Sequence, residues 1–547
     1  MRCFCIAVLC FLAVCSLAQT NKKVIFKTSA APKLVVGIVI DQMRWDYLYR
    51  YANRFGSGGF KRMMNEGFNC QNTMIPYTPS VTAPGHTCLY TGSVPNIHGI
   101  VGNSWYEAKL GKSMYCTDDS TVKGVGSNSK AGKMSPKNML ATTIGDELRM
   151  ATNFRGKVVS VATKDRGSIL PGGHSANAAY WYDESNGSFI TSTYYMNELP
   201  AWVNVFNSRK MPDSLMAPGW NTLYPIDSYV QSTSDEKPYE GKYKGNKTTS
   251  FPYDFSSNSR ADNWGILTSS PAGIYYTAAF AKAALLNEKL GKDSITDLLA
   301  VSFSSPDGVG HQFGPNSIEQ EDDYLRLDKE LESFFIFLDR EVGKGQYTIF
   351  LSADHAVANA PGYSIENKLP GGTMSGATYM KEINKGLKEK YGYDSLVIAM
   401  MNYQVHLNKP LMREHDLPTE KINDWVITYL YKQKEISQAF PLQKLMEQPM
   451  NNTIKEKIAN GYYPGRSGDI QYVLKPGYLD RGSTGTSHSL WNPYDAHIPL
   501  LFMGWGVKQG STHRETYMTD IAATIAAILK IQMPNGCVGK VIEEVVK

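Results

Sequence analysis

Past its first eighteen residues the chain has no long hydrophobic run. None approaches the ~20 apolar residues that a spanning helix needs, so no transmembrane helix is predicted. An excess of charge of either sign is also missing. The formal balance is +5 over 547 residues, which leaves no electrostatic footprint for nucleic acid or an acidic membrane as partner. Cysteine is scarce: there are eight, four of them before residue 16. The other four, Cys70, Cys88, Cys116 and Cys537, include no C-x-x-C pair, so a thiolate zinc site is not indicated. Their pairing is left open, because export would permit disulfides and buried free thiols fit equally well. No internal repeat is evident. What remains is an ordinary globular balance, 42% hydrophobic and 20% charged, which argues against disorder and allows a large core or several domains.

The N-terminus carries information of a different kind. Met1-Arg2 is followed by an apolar run from Cys3 to Leu17 and then by Gln19-Thr20-Asn21-Lys22-Lys23. A short charged start, an apolar stretch and small residues at Ser16 and Ala18 read as a signal peptide over 1–18, with 19–547 as the exported chain. A periplasmic or secreted location follows from that reading. Lipid attachment through Cys15 fits less well, because Val14 stands where a small residue is expected.

Several apolar runs end just before chemically capable residues. Lys33 to Ile40 ends at Asp41, and Lys157 to Ala162 ends before Lys164-Asp165-Arg166. Asp297 to Phe303 ends before Asp307, Gln346 to Leu351 before Asp354-His355, and Ile498 to Met503 is a further buried strand. Continuous β-branched runs suit central strands covered on both faces. Helical stretches lie between them, at 83–91, 140–152, 272–290, 318–342 and 518–529. The alternation predicts an α/β fold with a doubly wound, mainly parallel sheet and helices on both faces. In such sheets ligands bind at the C-terminal strand ends. Two segments break the pattern, an aromatic and Asn/Ser/Gly/Pro-rich stretch at 172–263 and another at 361–480. Both are read as inserted cap regions.

Histidine is also sparse, ten in the whole chain, yet three lie in a pattern that suits a metal. Asp307 and His311 are four residues apart, Asp354 and His355 are adjacent, Asp41 follows a strand, and His488 sits in Gly485-Thr-Ser-His488-Ser. Each element alone is commonly structural. Jointly they offer mixed carboxylate and imidazole ligands at one predicted sheet edge, as an open catalytic zinc site requires. Close by in the chain, Pro79-Ser-Val-Thr82-Ala-Pro84-Gly-His-Thr reads as a loop entering a helix, with Thr82 at the N-cap and Pro84 in the first turn. A hydroxyl there feels the positive helix end, which favours an alkoxide or a bound phosphoryl group. Thr78, Ser80 and Thr87 are rival hydroxyls that spacing does not separate from Thr82.

Asp41, the segment around Thr82, Asn103, Lys164-Asp-Arg166, Asp307 with His311, Asp354-His355 and His488 together resemble the alkaline phosphatase superfamily, closest to the PafA-type, phosphate-irrepressible bacterial enzymes. D-Q-M-R-W-D-Y-L after the first strand and H-I-P-L-L-F-M-G-W-G near the end belong to the same match. The resemblance implies two zinc ions, one held by Asp307, His311 and His488, the other by Asp41, Asp354 and His355 with the Thr82 oxygen beside it. It departs from the wider superfamily at Ala356, where glycine often follows the Asp-His pair. A phosphate monoester dianion would be gripped by the planar fork of Arg166, the compact charge of Lys164 and the neutral amide of Asn103. A diester, with one charge fewer and an organic group in their way, would be disfavoured. The resemblance thus implies a zinc-dependent phosphomonoesterase acting as a monomer on small molecules through a phosphothreonine. A phosphodiesterase or nucleotide pyrophosphatase of the same superfamily is the alternative. A sulfatase lacks its C-x-P-x-R or S-x-P-x-R segment, and a non-catalytic binding module would leave six metal-type side chains unexplained.

Overall fold

A computed structural model describes residues 31–256 and 264–547. The expected signal peptide at 1–18 lies outside the described residues. Seven strands carry the architecture: β1 (Leu34–Ile40), β2 (Phe68–Met74), β3 (Val158–Ala162), β4 (Ala178–Asp183), β5 (Asp297–Phe303), β6 (Tyr347–Ser352) and β7 (His497–Gly504). Their order in the sheet is β2-β7-β6-β1-β5-β3-β4. The five from β6 to β4 are mutually parallel. β7 alone of the seven runs against its neighbours β6 and β2. Every residue of β1, β3, β5 and β6 is buried, which is what an apolar run on both strand faces demands.

Helices cover both faces, as a doubly wound sheet requires. α1 (Thr82–Thr91), α2 (Asp165–Gly172) and α6 (Asp520–Leu529) pack together on one side. α3 (Ala272–Asn287) and α5 (Ile318–Leu338) pack on the other, with α4 (Ser305–Phe313) leading from β5 into α5. Mid-strand Gly37 has a steric cause. A Cβ there would collide with the Tyr90 hydroxyl from α1 and with the Phe350 ring.

The segment 172–263 differs in part from its expected role as a cap. Residues 178–183 are β4, and Ser188–Ser192 pairs antiparallel with it, so both belong to the main sheet. Beyond them, Trp220, Tyr243 and Tyr253 pack on one another and on Phe313 at the end of α4. Within 361–480 a separate antiparallel sheet forms in the order Val397–Met401, Gln404–Leu407, Ile470–Leu474, Ile436–Pro441. Helices Gly376–Tyr391 and Thr419–Tyr431 close over it around a second core that includes Ile383, Val426, Leu430 and Tyr472.

Among the described residues no helix is long and apolar enough to cross a membrane. All four described cysteines are free thiols, three of them buried.

Candidate active site

Because β1, β3, β5 and β6 are parallel, their C-terminal ends share one edge, and the residues just past each strand meet there. Asp41 leaves β1 with its backbone N–H donating to Phe303 O at the end of β5, 3.0 Å away. Lys164 follows β3, Asp307 lies in the first turn of α4, and Asp354-His355 follow β6. His488 comes from a distant loop.

The six carboxylate and imidazole side chains fall into two groups, Asp307, His311 and His488, and Asp41, Asp354 and His355. Within each, one ligand atom per residue lies within 4.8 Å of the others. The histidines are oriented by backbone. Nδ1 of His311 faces Thr486 O at 2.8 Å, Nδ1 of His488 faces Ser80 O at 2.7 Å, and Nδ1 of His355 faces Ala356 O at 3.0 Å. A ring whose Nδ1–H donates to a carbonyl presents its Nε2 lone pair, and all three Nε2 atoms point at the carboxylates. His311 Nε2 is 3.2 Å from Asp307 Oδ1, and His355 Nε2 is 3.4 Å from both Asp41 Oδ1 and Asp354 Oδ2. The His355 and His488 rings stack with centroids 3.5 Å apart.

This donor set fits divalent cations. Asp41 Oδ1 and Asp354 Oδ2 are buried with no hydrogen-bond donor. Burial, with Asp307 and Asp354 close by, pushes the Asp41 carboxyl well above its ordinary range. Burial pulls His488 well below the usual imidazole value, and His355 and His311 add to that, so the ring is neutral and free to ligate. Buried carboxylates that repel one another beside a neutral imidazole are stabilised by a cation among them.

Thr82 is the first residue of α1. The expected N-cap role is corrected: Val81, with extended backbone, occupies the cap position and makes no side-chain cap bond. A β-branched apolar residue precedes the helix because the loop is fixed elsewhere. Thr78 Oγ1 donates to Ser489 O and Ser80 Oγ to Leu490 O, each at 3.0 Å. Thr87 Oγ1 donates to Ala83 O at 2.8 Å. The three rival hydroxyls are therefore spent on backbone, whereas Thr82 Oγ1 faces His355 Nε2 at 3.5 Å. α1 is pressed onto the metal-type cluster at Gly85, where a Cβ would strike the Asp354 backbone oxygen.

Three donors lie at the starts of α1 and α2. Lys164 Nζ lies between the two groups, donating to Asp41 Oδ2 at 2.7 Å and Asp307 Oδ2 at 2.5 Å. Asn103 Oδ1 accepts from Ala83 N at 2.9 Å, leaving its amide N–H₂ as the free donor. Arg166 Nη1 donates to the Tyr115 hydroxyl at 3.0 Å, and that hydroxyl donates to Asp165 Oδ1 at 2.8 Å. Thr117 Oγ1 holds the other Asp165 oxygen at 2.5 Å.

Sequence reasoning missed Tyr115 as well as two further residues. Gln42 donates Nε2 to Asp307 Oδ1 at 2.7 Å and its backbone N–H to Asp354 Oδ1 at 3.2 Å, tying the groups together. His86 sits 3.2 Å from Asp354 Oδ2 and 2.8 Å from Ser302 Oγ. Gln42 follows Asp41 directly and His86 lies within the Thr82 segment, so adjacency was a signal for both. Tyr115 carried none.

A family model described as type I phosphodiesterase / nucleotide pyrophosphatase matches residues 35–494. The chain belongs to this family, within the alkaline phosphatase superfamily. Among superfamily members it is 52% identical to alkaline phosphatase PhoV of Synechococcus elongatus, over 97% of this chain and 98% of the relative. It is 50% identical to alkaline phosphatase PafA of Elizabethkingia meningoseptica, over 95% of this chain and 96% of that protein. A crystal structure of PafA superposes with a TM-score of 0.92 at 49% identity, covering 94% of this chain and 99% of that one. Another relative, from Myroides odoratus and 48% identical over 94% of this chain and 95% of its own length, bears the name calcium-transporting ATPase. The PafA-like relationship spans the main sheet and the 361–480 lobe alike.

Proposed function

We propose that the protein is an alkaline phosphatase that hydrolyses phosphate monoesters to an alcohol and inorganic phosphate, with Thr82 as nucleophile. The observation that carries this is the pair of carboxylate-imidazole groups, with Lys164 between them and, 3.5 Å from His355 Nε2, the Thr82 hydroxyl, which unlike Thr78, Ser80 and Thr87 is not spent on backbone. Asp307, His311 and His488 would hold one zinc ion, and Asp41, Asp354 and His355 a second. Bound there, the ions would act as Lewis acids on the attacking and leaving oxygens.

The chain's own groups do the rest. Thr82 Oγ attacks phosphorus, the bond to the alcohol oxygen breaks, and the Thr82 proton is balanced by the one the departing alkoxide takes up. Water then attacks the phosphothreonine, the Thr82 oxygen leaves with a proton, and inorganic phosphate is released; one water is consumed overall. Arg166 and Asn103 bind the non-bridging oxygens, so stabilisation is electrostatic and positional, as suits a loose phosphoryl-transfer transition state. Lys164 places a positive charge between the carboxylates and the phosphoryl group.

The family model's description supports a second reading, a phosphodiesterase or nucleotide pyrophosphatase. The two separate by kcat/KM on a monoester and its methyl diester, where the proposal expects the monoester to be preferred by orders of magnitude. In Thr82→Ala the acid-quenched phosphoenzyme should vanish and monoester turnover should fall by at least about 10³-fold. A phosphorylated residue persisting in that variant would refute Thr82 as nucleophile. The leader expected at 1–18 supports action outside the cytoplasm, and we propose that the enzyme acts there as a monomer.

A further inference from the structure

A cavity of about 680 Å³ opens beside the phosphoryl donors, and its lining includes Lys164, Arg166 and Asp307. The same cavity reaches the turn after β4, where Asp183 and Glu184 contribute to its wall together with Thr268. The volume far exceeds what a phosphoryl group fills, and it falls in the range of small-molecule sites. Since Lys164 and Arg166 belong to the phosphoryl end, the remaining space belongs to whatever the phosphorus is esterified to.

Beyond Asp307 the lining is acidic, with Asp165, which is paired with Arg166, and then Asp183 and Glu184. Among the lining residues Lys164 and Arg166 are the only cationic side chains, and both are committed to the phosphoryl side. Asp183 is saturated: Ser127 Oγ and Ser129 Oγ donate to its Oδ2, and Ser185 N donates to Oδ1 at 2.9 Å. These bonds outweigh its burial and hold the carboxyl below its ordinary value, so it stays ionised. Glu184 differs. It is exposed, and its side chain accepts from the Thr268 hydroxyl at 3.3 Å, which leaves lone pairs for a ligand.

We infer that this cavity is the leaving-group subsite and that Glu184 selects phosphate monoesters whose alcohol carries a cationic nitrogen, that is, esters of amino or quaternary-ammonium alcohols. The inference rests on the phosphomonoesterase reading above. An uncharged alcohol of the same shape fills the space but gains nothing from the carboxylate. Because Glu184 is solvent-exposed, the selection is modest and screened by salt.

The test uses two near-isosteric esters, choline phosphate and 3,3-dimethylbutyl phosphate, on the zinc-loaded enzyme at low ionic strength. Their kcat/KM ratio should fall roughly two- to fivefold on Glu184→Gln, and the wild-type ratio should shrink with added salt. The ratio of their dissociation constants, measured calorimetrically in Thr82→Ala with and without Glu184→Gln, should move in the same sense. Comparing ratios cancels the different intrinsic reactivities of the two alcohols. Turnover of both esters with a ratio that Glu184→Gln leaves unchanged would overturn the subsite while leaving the phosphomonoesterase reading standing. Absence of turnover on either ester and on p-nitrophenyl phosphate would overturn that reading itself.

Discussion

Tyr115→Phe removes one oxygen and should separate monoester from diester catalysis. The Tyr115 hydroxyl accepts from Arg166 Nη1 at 3.0 Å and donates to Asp165 Oδ1 at 2.8 Å. Burial first, and then Asp165, pushes its ionisation far above the ordinary phenol value, so it remains protonated in this relay. Arg166 Nε is buried without an acceptor, and the substitute at hand for Nη1 is Asp165 Oδ1, now 3.9 Å away. A hydrogen bond to a charged group contributes about 1.5–3 kcal/mol, and 1.4 kcal/mol is a factor of about ten. Partial recovery by a direct Arg166–Asp165 contact puts the expected loss near the lower end, about tenfold in kcat/KM for p-nitrophenyl phosphate. The methyl diester, which makes less use of the guanidinium, should change less than about threefold. The fold should lose only about 1 kcal/mol, or roughly 1 °C in Tm for a chain of this size. Equal losses on both substrates would make Tyr115 a packing residue and refute its role in positioning Arg166.

Two further outcomes stem from buried charge. Chelation with EDTA should abolish turnover and lower Tm, with both restored by zinc and with elemental analysis returning about two zinc per chain; recovery by manganese alone would refute the zinc assignment. Burial lifts Glu319 from its ordinary 4.5 to about 8, and burial with Glu319 beside it lifts Glu240 to about 10. Both are neutral in the fold but ionised in the unfolded chain above about pH 4.5, so their contribution is complete below that pH and is lost as pH climbs through 8 towards 10. At 1.36 kcal/mol per unit the Glu319 shift alone amounts to at most ~5 kcal/mol. Glu319→Gln should therefore shrink the gap in urea midpoint between pH 6 and pH 9.5, and an unchanged gap would show that Glu319 is already ionised or compensated.

The strands and the metal-type residues were legible for one shared reason. A parallel strand buried on both faces must be an unbroken apolar run, and parallelism brings the residues just beyond each run to one edge, so Asp41, Lys164, Asp307, Asp354 and His355 could be placed together. Direction was not legible: Ile498–Met503 has the same apolar signature as β1 yet runs antiparallel, because an apolar run carries no polarity. The strand Ala178–Asp183 reads as cap in the sequence because Ala-Ala-Tyr-Trp-Tyr-Asp next to Asn, Ser and Gly has the composition of a loop; its pairing with β3 is a tertiary fact. Tyr115 was invisible because its role depends on a loop some fifty residues away in sequence meeting α2. Among the hydroxyls, hydrogen-bond accounting singled out Thr82, and no spacing rule could have done so.

Charge explains why these groups occur together. Four carboxylates, Asp41, Asp165, Asp307 and Asp354, face three cationic side chains, Lys164, Arg166 and Arg481, while His488 is held neutral. Left to themselves, the acids cannot all ionise in comfort. Asp41 is driven upward, whereas Asp307, despite its burial, is held well below its ordinary value by His311 and Lys164. Two divalent cations would turn one excess negative charge into three positive ones. A phosphate monoester dianion attacked by a threonine alkoxide brings three negative charges, so the assembly is closest to neutral with a monoester at the moment of transfer. A diester would leave one positive charge unmatched in a site walled by low-dielectric protein, where an unpaired charge is costly. Replacing Lys164 by alanine lowers the site charge by one and should therefore narrow the preference for monoester over diester, whatever it does to absolute rate. A preference that stays as wide in that variant would mean that steric exclusion at Arg166 and Asn103, and not charge matching, discriminates the two substrates.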